Sequence, residues 1–483
     1  MMPDWIIVTT ITAAYLLATL VIGVRARRSG EQNTLEEYVT GTRSLGLVLM
    51  FFIMGAEIFS AFAFLGGPGW SYSKGAPALY MLAYTALMAS LGWLIAPRIH
   101  QMARRLGHMT QADLLADHFK SKGLAVFIGI ISILGLVPYL TIQVVGTGLM
   151  FQFATDGRIP FWLGSLLATL IVTLYVYTSG LRGIGWTNFF QGVLMVAIAW
   201  VLGFAVANQL YGGITPMFQR IAEQAPQYLT IPGGGAPVPW AAFSSAILVS
   251  ALGAWMWPHL FMRFYSAKSV RTLKKSLMLY PLFVYVMVPI LIIGFAGILL
   301  YRDAPLQNPD TVLLDIVVKT AHFSPWLVGL MLSGALAAAM STGANIAHSA
   351  ATVAARDIIA RLRPMHDASV LRLTRLLVVL ISAAAYSLAL LNPASLVTTL
   401  LGAYGAIVQL LPLTLATLFW PRATRSGAFA GLTCGTLVTL QFDFVWPPPY
   451  AINAGIWGLA VNIVVLLGVS VVTACLPTRS EQG

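Results

Sequence analysis

The feature that most limits what this chain can fold into is the length of its apolar runs. Stretches close to the twenty or so residues that an α-helix needs to cross a bilayer recur near residues 5–24, 46–66, 77–97, 124–152, 159–178, 186–206, 240–261, 276–301, 325–350, 371–391, 395–420, 426–444 and 452–475. Thirteen transmembrane helices are therefore predicted, and the fold class is an all-α polytopic membrane protein. Composition agrees: 58% of residues are hydrophobic and 9% charged, against about 25% charged in soluble domains. The longest connections, near 98–122, 207–239 and 302–324, are a few tens of residues and leave no room for a soluble domain. The tail after Pro477 is too short for a kinase or receiver domain, which argues against a sensor.

The basic residues set an orientation. The first run has none before it and Arg25, Arg27 and Arg28 after it, the reverse of a cleavable signal peptide. Across the chain, only Lys74, Arg158, Arg220, Arg302 and Lys319 of the 28 lysines and arginines fall in the loops after even-numbered runs. Positive charge collects on the cytoplasmic side of membrane proteins, so the N-terminus is expected outside and the C-terminus in the cytoplasm of a cell-membrane protein. The net charge of +12 is accounted for by these short loops and does not call for nucleic acid. Cys434 and Cys475 both lie in apolar runs and offer neither a disulfide framework nor a metal spacing.

Two runs are interrupted. In the second, Gly55 and Ser60 break the apolar pattern and Gly66-Gly67-Pro68-Gly69 ends it; in the seventh, the breaks fall at Gly253 and Pro258. Interruptions free backbone carbonyls, which at membrane depth is tolerated beside a cavity or a bound ion. Paired interruptions in corresponding halves are the sequence sign of a transporter site between inverted repeats, although a chain with 43 glycines also acquires unrelated kinks. The ninth run places Ser341 and Thr342 side by side among small residues. Two hydroxyls at that depth either bond back to a carbonyl one turn earlier or give hard oxygen ligands to a desolvated cation.

Four segments carry a resemblance. GALAAAMST at 334–342, followed by Arg356-Asp357, GGPGxxYxxG at 66–75, PHxxxR at 258–263 and FWPRATRSGAFAG at 419–431 resemble the sodium:solute symporter family, and the similarity runs over essentially the whole chain. The resemblance implies a LeuT-like fold with five-plus-five inverted repeats, the discontinuous helix coming first in each. Residues 1–44 are then an extra helix and loop, 45–206 the first repeat, 239–420 the second, and 421–483 two C-terminal helices and the tail. It further implies a sodium site made by the backbone carbonyls of Ala56, Phe59 and Ala338 and the hydroxyls of Ser341 and Thr342. Two departures stand out: Ile58 occupies the position of an aspartate in the proline transporters of the family, and Asn188 that of the aspartate in a TDxxQ pattern.

Glu57 sits inside a span, where a carboxylate costs at least a few kcal/mol and marks a functional position. It is read as a proton carrier, as an electrostatic substitute for the missing aspartate, or as a group bonded to a hydroxyl or amide; together with Asn188 it is a coupling candidate, and proton coupling stays open beside sodium. For substrate, His259 after Pro258 is the leading candidate, since imidazole donates to a carboxylate. Ser60, Gln143, Trp257 and Tyr404 join it, with Tyr139, Trp255 and Gln409 also considered and Asn345 and His348 on an inner exit. Spans 2 and 11 look closest to monocarboxylate permeases of the family, so pyruvate, lactate or acetate is expected, with pantothenate, an amino acid or a sugar as alternatives. No cofactor besides the coupling ion and no nucleic acid or protein partner is expected. A membrane enzyme using His259 and Glu57 as an acid–base pair lacks any accompanying metal spacing or nucleophile motif, and a channel or sensor would differ by its lack of concentrative uptake.

Overall fold

A computed structural model describes residues 3–26, 34–235, 237–391 and 396–474. Arg27 and Arg28, which contribute to the positive-charge pattern, and Cys475 lie outside them. Helix dominates: in chain order α1 (Asp4–Arg25), α2 (Leu35–Thr40), α3 (Leu47–Ala56), α4 (Gly67–Lys74), α5 (Tyr80–Leu106), α6 (Gln111–His118), α7 (Lys122–Ala154), α8 (Phe161–Tyr211), α9 (Ile214–Gln224), α10 (Trp240–Gly253), α11 (Pro258–Ser266), α12 (Val270–Val284), α13 (Met287–Leu300), α14 (Val312–Asp315), α15 (Pro325–Val353), α16 (Ala360–Leu362), α17 (Asp367–Leu391), α18 (Leu396–Ile407), α19 (Leu410–Phe419), α20 (Arg425–Phe444) and α21 (Ala454–Ala474). Starts follow side-chain capping rules. Thr34, Ser121, Ser269 and Thr424 each accept the N–H three residues on, and Pro258 and Pro325 sit at first helical positions, where no N–H is needed.

Among the described residues nine helical runs are long and apolar enough to span a bilayer, or ten when α10 and α11, bent by 47° at Trp257, count as one. The expected thirteen differ from this at identifiable places. The second run divides into α3, of 10 residues, and α4 beyond the break. The fifth and sixth lie on either side of Gly180 within the 51 residues of α8, where the backbone leaves helical geometry, and count as one run; α20 carries Thr433, Thr436, Thr439, Gln441 and Asp443, polar enough to take it off the count.

The centre of the bundle is α15. Every residue from Met331 to Val353 is buried, and α1, α7, α8, α11 and α17 pack around it. A helix buried on all faces has to be small enough for close approach, which its alanines and glycines supply. The start of α3 and the end of α11 are tied by backbone: Leu45 N–H donates to Ser266 O at 3.1 Å and Lys268 N–H to Leu45 O at 2.9 Å, the isolated bridge Leu45–Ala267.

Within α8 the chain turns at Gly180, with φ 52° and ψ −145°, a conformation essentially confined to glycine. A Cβ there would also lie 2.6 Å from the Tyr38 ring. Gly180→Ala is therefore expected to destabilise the fold by roughly 1–3 kcal/mol, read as a lower thermal unfolding temperature of the purified protein.

Candidate cation and substrate site

Helix α3 stops at Ala56, and helical structure resumes as the π-type turn Phe62–Gly66 leading into α4. The break is held from α7, where Gln143 Oε1 accepts the Ala61 N–H at 2.9 Å while its amide donates to Tyr139 O at 3.1 Å. The carbonyls left over in the break turn towards the middle of α15. Ser341 Oγ lies 3.0 Å from both Ala56 O and Ala338 O. Thr342 Oγ1 lies 2.9 Å from Glu57 O, 3.3 Å from Phe59 O and 3.5 Å from Ala56 O.

All five positions expected to bind the cation are thus brought together, with the Glu57 carbonyl as a sixth oxygen. The two hydroxyls carry one proton each, yet five oxygen–oxygen contacts meet there. Excess acceptors in a buried place produce a negative potential, and hard oxygens at this density suit a small monovalent cation.

The Glu57 side chain has a partner that charge counting assigned elsewhere. Arg263, placed by the positive-charge pattern in a cytoplasmic loop, is on α11 and fully buried; its Nε lies 3.3 Å from Glu57 Oε2, and neither side chain has any exposure. An arginine, neither a hydroxyl nor an amide, is what Glu57 meets. The PHxxxR spacing held the available signal, since Arg263 follows His259 by one helical turn.

The other candidates separate into two groups. His259, Trp257, Tyr139 and Tyr404 form one aromatic cluster: Tyr139–Trp257 5.0 Å, Tyr139–His259 5.6 Å, Trp257–His259 5.8 Å and Trp257–Tyr404 5.4 Å between ring centroids. Ser60 is buried beside Tyr139. By contrast, Gln143 is engaged with the backbone of the break. Trp255 donates to Met88 O at 2.6 Å, and Gln409 docks the last two helices, donating to Gly455 O at 3.0 Å and taking Asn462 Nδ2 at 2.8 Å on its own carbonyl. Asn188 is buried on α8, and none of the hydrogen bonds of the oxygen cluster runs to it among the described residues. Asn345 continues α15 below the cluster, donating to Ser341 O at 2.9 Å; His348 contacts Tyr38 O at 2.9 Å.

Beyond these residues, α15 ends in a charged closure. Asp113, in the first turn of α6, receives Arg356 Nε at 2.9 Å and Arg361 Nη2 at 2.6 Å. Thr110 donates to Asp357 at 2.7 Å and its carbonyl accepts the Tyr265 hydroxyl at 3.0 Å. Arg43 joins Glu36 to the carbonyls of Ala103 and His108. Burial by itself would raise the Asp113 carboxyl; the Arg356 charge, the Met109 N–H and Arg361 outweigh it and hold that group below the usual carboxylate range. A depressed folded-state value means that this stabilisation is complete at neutral pH and is lost as the pH falls through it. Asp113→Asn is expected to loosen this end at neutral pH. In a cysteine-free background, maleimide labelling of Thr352→Cys, buried on α15, rises several-fold when Asp113→Asn is added.

Comparison with known proteins places this geometry among relatives. The model of the family described as "Sodium:solute symporter family" matches residues 38–435. The chain is 32% identical over 471 residues, 95% of each protein, to the "Uncharacterized symporter YhjB" of Bacillus subtilis. It is 26% identical, over 96% of each, to a "Monocarboxylate transport permease protein" of Rhizobium johnstonii. Among solved structures, a Na+-coupled sialic acid symporter aligns with a TM-score of 0.80 over 96% of this chain and 97% of its own, at 17% identity, a likeness of fold.

Proposed function

Because the chain belongs to the sodium:solute symporter family, a family of transporters and not of enzymes, we propose that it couples sodium to the uptake of a small organic anion, a monocarboxylate such as pyruvate, lactate or acetate. The observation that carries the sodium part is the oxygen cluster: Ala56, Phe59, Ala338, Ser341 and Thr342 meet at the break of α3 with more acceptors than protons. The monocarboxylate part is supported by the name of the Rhizobium relative and by His259 in the aromatic cluster with Trp257 and Tyr404, with Ser60 nearby.

The working architecture is thirteen spans in a cell membrane, N-terminus outside and C-terminus cytoplasmic, with 45–206 and 239–420 as the two repeats. Sodium at the cluster links the α3 break to α15. Ordering that break lowers the cost of binding solute next to it, so coupling is a linkage between two binding events. Opening of the charged end around Asp113 then releases both, as alternating access requires.

A second reading, proton coupling through Glu57, is disfavoured by the same ion pair. Protonating Glu57 would leave Arg263 as an uncompensated buried charge, which costs several kcal/mol.

Uptake of labelled pyruvate into proteoliposomes under an inward sodium gradient, an equal proton gradient and no gradient tests the reading. Concentrative uptake is expected with sodium alone; uptake driven by the proton gradient alone would transfer coupling to Glu57. Ser341→Ala and Thr342→Ala are each expected to raise the half-saturating sodium concentration at least about tenfold, a loss of about 1.4 kcal/mol, with unchanged protein yield. An unaltered sodium dependence would remove the cation site from these residues.

A further inference from the structure

The ion pair leaves one edge of Arg263 without a partner. Glu57 takes Nε, while Nη1 and Nη2 are buried with no hydrogen-bond partner among the described residues. The same holds for Glu57 Oε1 and for Nδ1 of His259 and of His348. His259 precedes Arg263 by one turn of α11, so the two side chains lie on the same face of that helix. A guanidinium has two bidentate edges. With the Nε side held by Glu57, the Nη1/Nη2 edge is fixed in orientation and keeps two buried donors that a planar anion would satisfy.

Charge balance points to the same class of ligand. Glu57 and Arg263 cancel, so a sodium ion at the oxygen cluster leaves the site with one uncompensated positive charge. A bound carboxylate alone leaves one negative charge, and only the two together restore neutrality in a buried place where net charge is costly. The Glu57 carbonyl is itself part of the oxygen cluster, so one residue stands in both halves of the arrangement.

We infer that the Nη edge of Arg263 is the subsite for the substrate's carboxylate, with Glu57 positioning the guanidinium and His259 Nδ1 as the second donor. The inference rests on the reading of the chain as a symporter of an organic anion and assigns the recognition of that anion to a residue outside the expected set. It also excludes neutral solutes and amides of the same shape, since these would leave the loaded site positive and the Nη donors without a charged partner.

The test is thermal unfolding of the full-length purified protein in sodium or choline buffer, with pyruvate, lactate and acetate set against pyruvamide, lactamide and acetamide. The acids are expected to raise the unfolding temperature in sodium and the amides to have no effect. Arg263→Lys, which keeps the charge and loses the fork, weakens the apparent affinity for the acid at least about tenfold. The double variant Glu57→Gln/Arg263→Gln removes both charges together and so leaves no unpaired buried ion. It is expected to keep the response to sodium and to lose acid binding by at least about thirtyfold.

An amide that stabilises as well as its acid would overturn the inference, as would a double variant that binds the acid like the wild type, or failure of all three acids to stabilise. Loss of the sodium response together with the acid response would assign the pair to the cation site instead and overturn it too. Acid binding that persists unchanged in choline would overturn sodium coupling while leaving the Arg263 subsite standing.

Discussion

A backbone carbonyl released from a helix at membrane depth has to find a partner inside the protein, and the rest of this structure is arranged around three of them. Ala56, Glu57 and Phe59 lose helical partners where α3 stops, and all three residues are buried. The hydroxyls of Ser341 and Thr342 reach them because α15 is built of residues small enough to approach the break closely. Gln143 supports the other side by accepting the Ala61 N–H. Even so, the hydroxyl protons number fewer than the oxygen contacts, and a cation is the chemically natural completion. The stability of the break and the local excess of acceptors have in this sense one cause.

Glu57 and Arg263 belong to the same logic. A buried ion pair is weak evidence for stability, because desolvation of both charges offsets most of their attraction. This pair sits where the two interrupted helices meet, and there it fixes the orientation of the Arg263 guanidinium. Together with the Leu45–Ala267 bridge, it ties the region of α3 to α11.

Continuity from the oxygen cluster to the charged end is supplied by one helix. Ser341, Asn345 and His348 follow each other at helical spacing along α15, and Arg356 beyond them grips Asp113 on α6. An end closed by ion pairs, capping bonds and carbonyl contacts is thus joined to the oxygen cluster by a single helix. Its chemistry differs from that of the site: the arginines that grip Asp113 keep a minor part of their surface in contact with solvent, 22% for Arg356 and 32% for Arg361, whereas neither member of the pair at Glu57 has any.

Much of this was legible in the residues. Apolar run length and the two Gly/Pro interruptions marked the membrane class and the broken helices, since hydrocarbon thickness and backbone satisfaction act on short stretches of chain. The GALAAAMST run marked α15, and the five cation positions named from the resemblance do converge. Sequence by itself therefore determined what kind of solvent the chain lives in, which helices are broken, and which oxygens are available. Other outcomes were decided by the tertiary structure alone. It turned a charged residue of an apparent loop, Arg263, into the buried partner of Glu57, engaged Gln143 in backbone support, and gave Gln409 to the packing of α20 and α21. Each of these depends on which groups from distant parts of the chain share a low-dielectric space, and charge, unlike hydrophobic length, has no periodicity along the chain that reveals its partner.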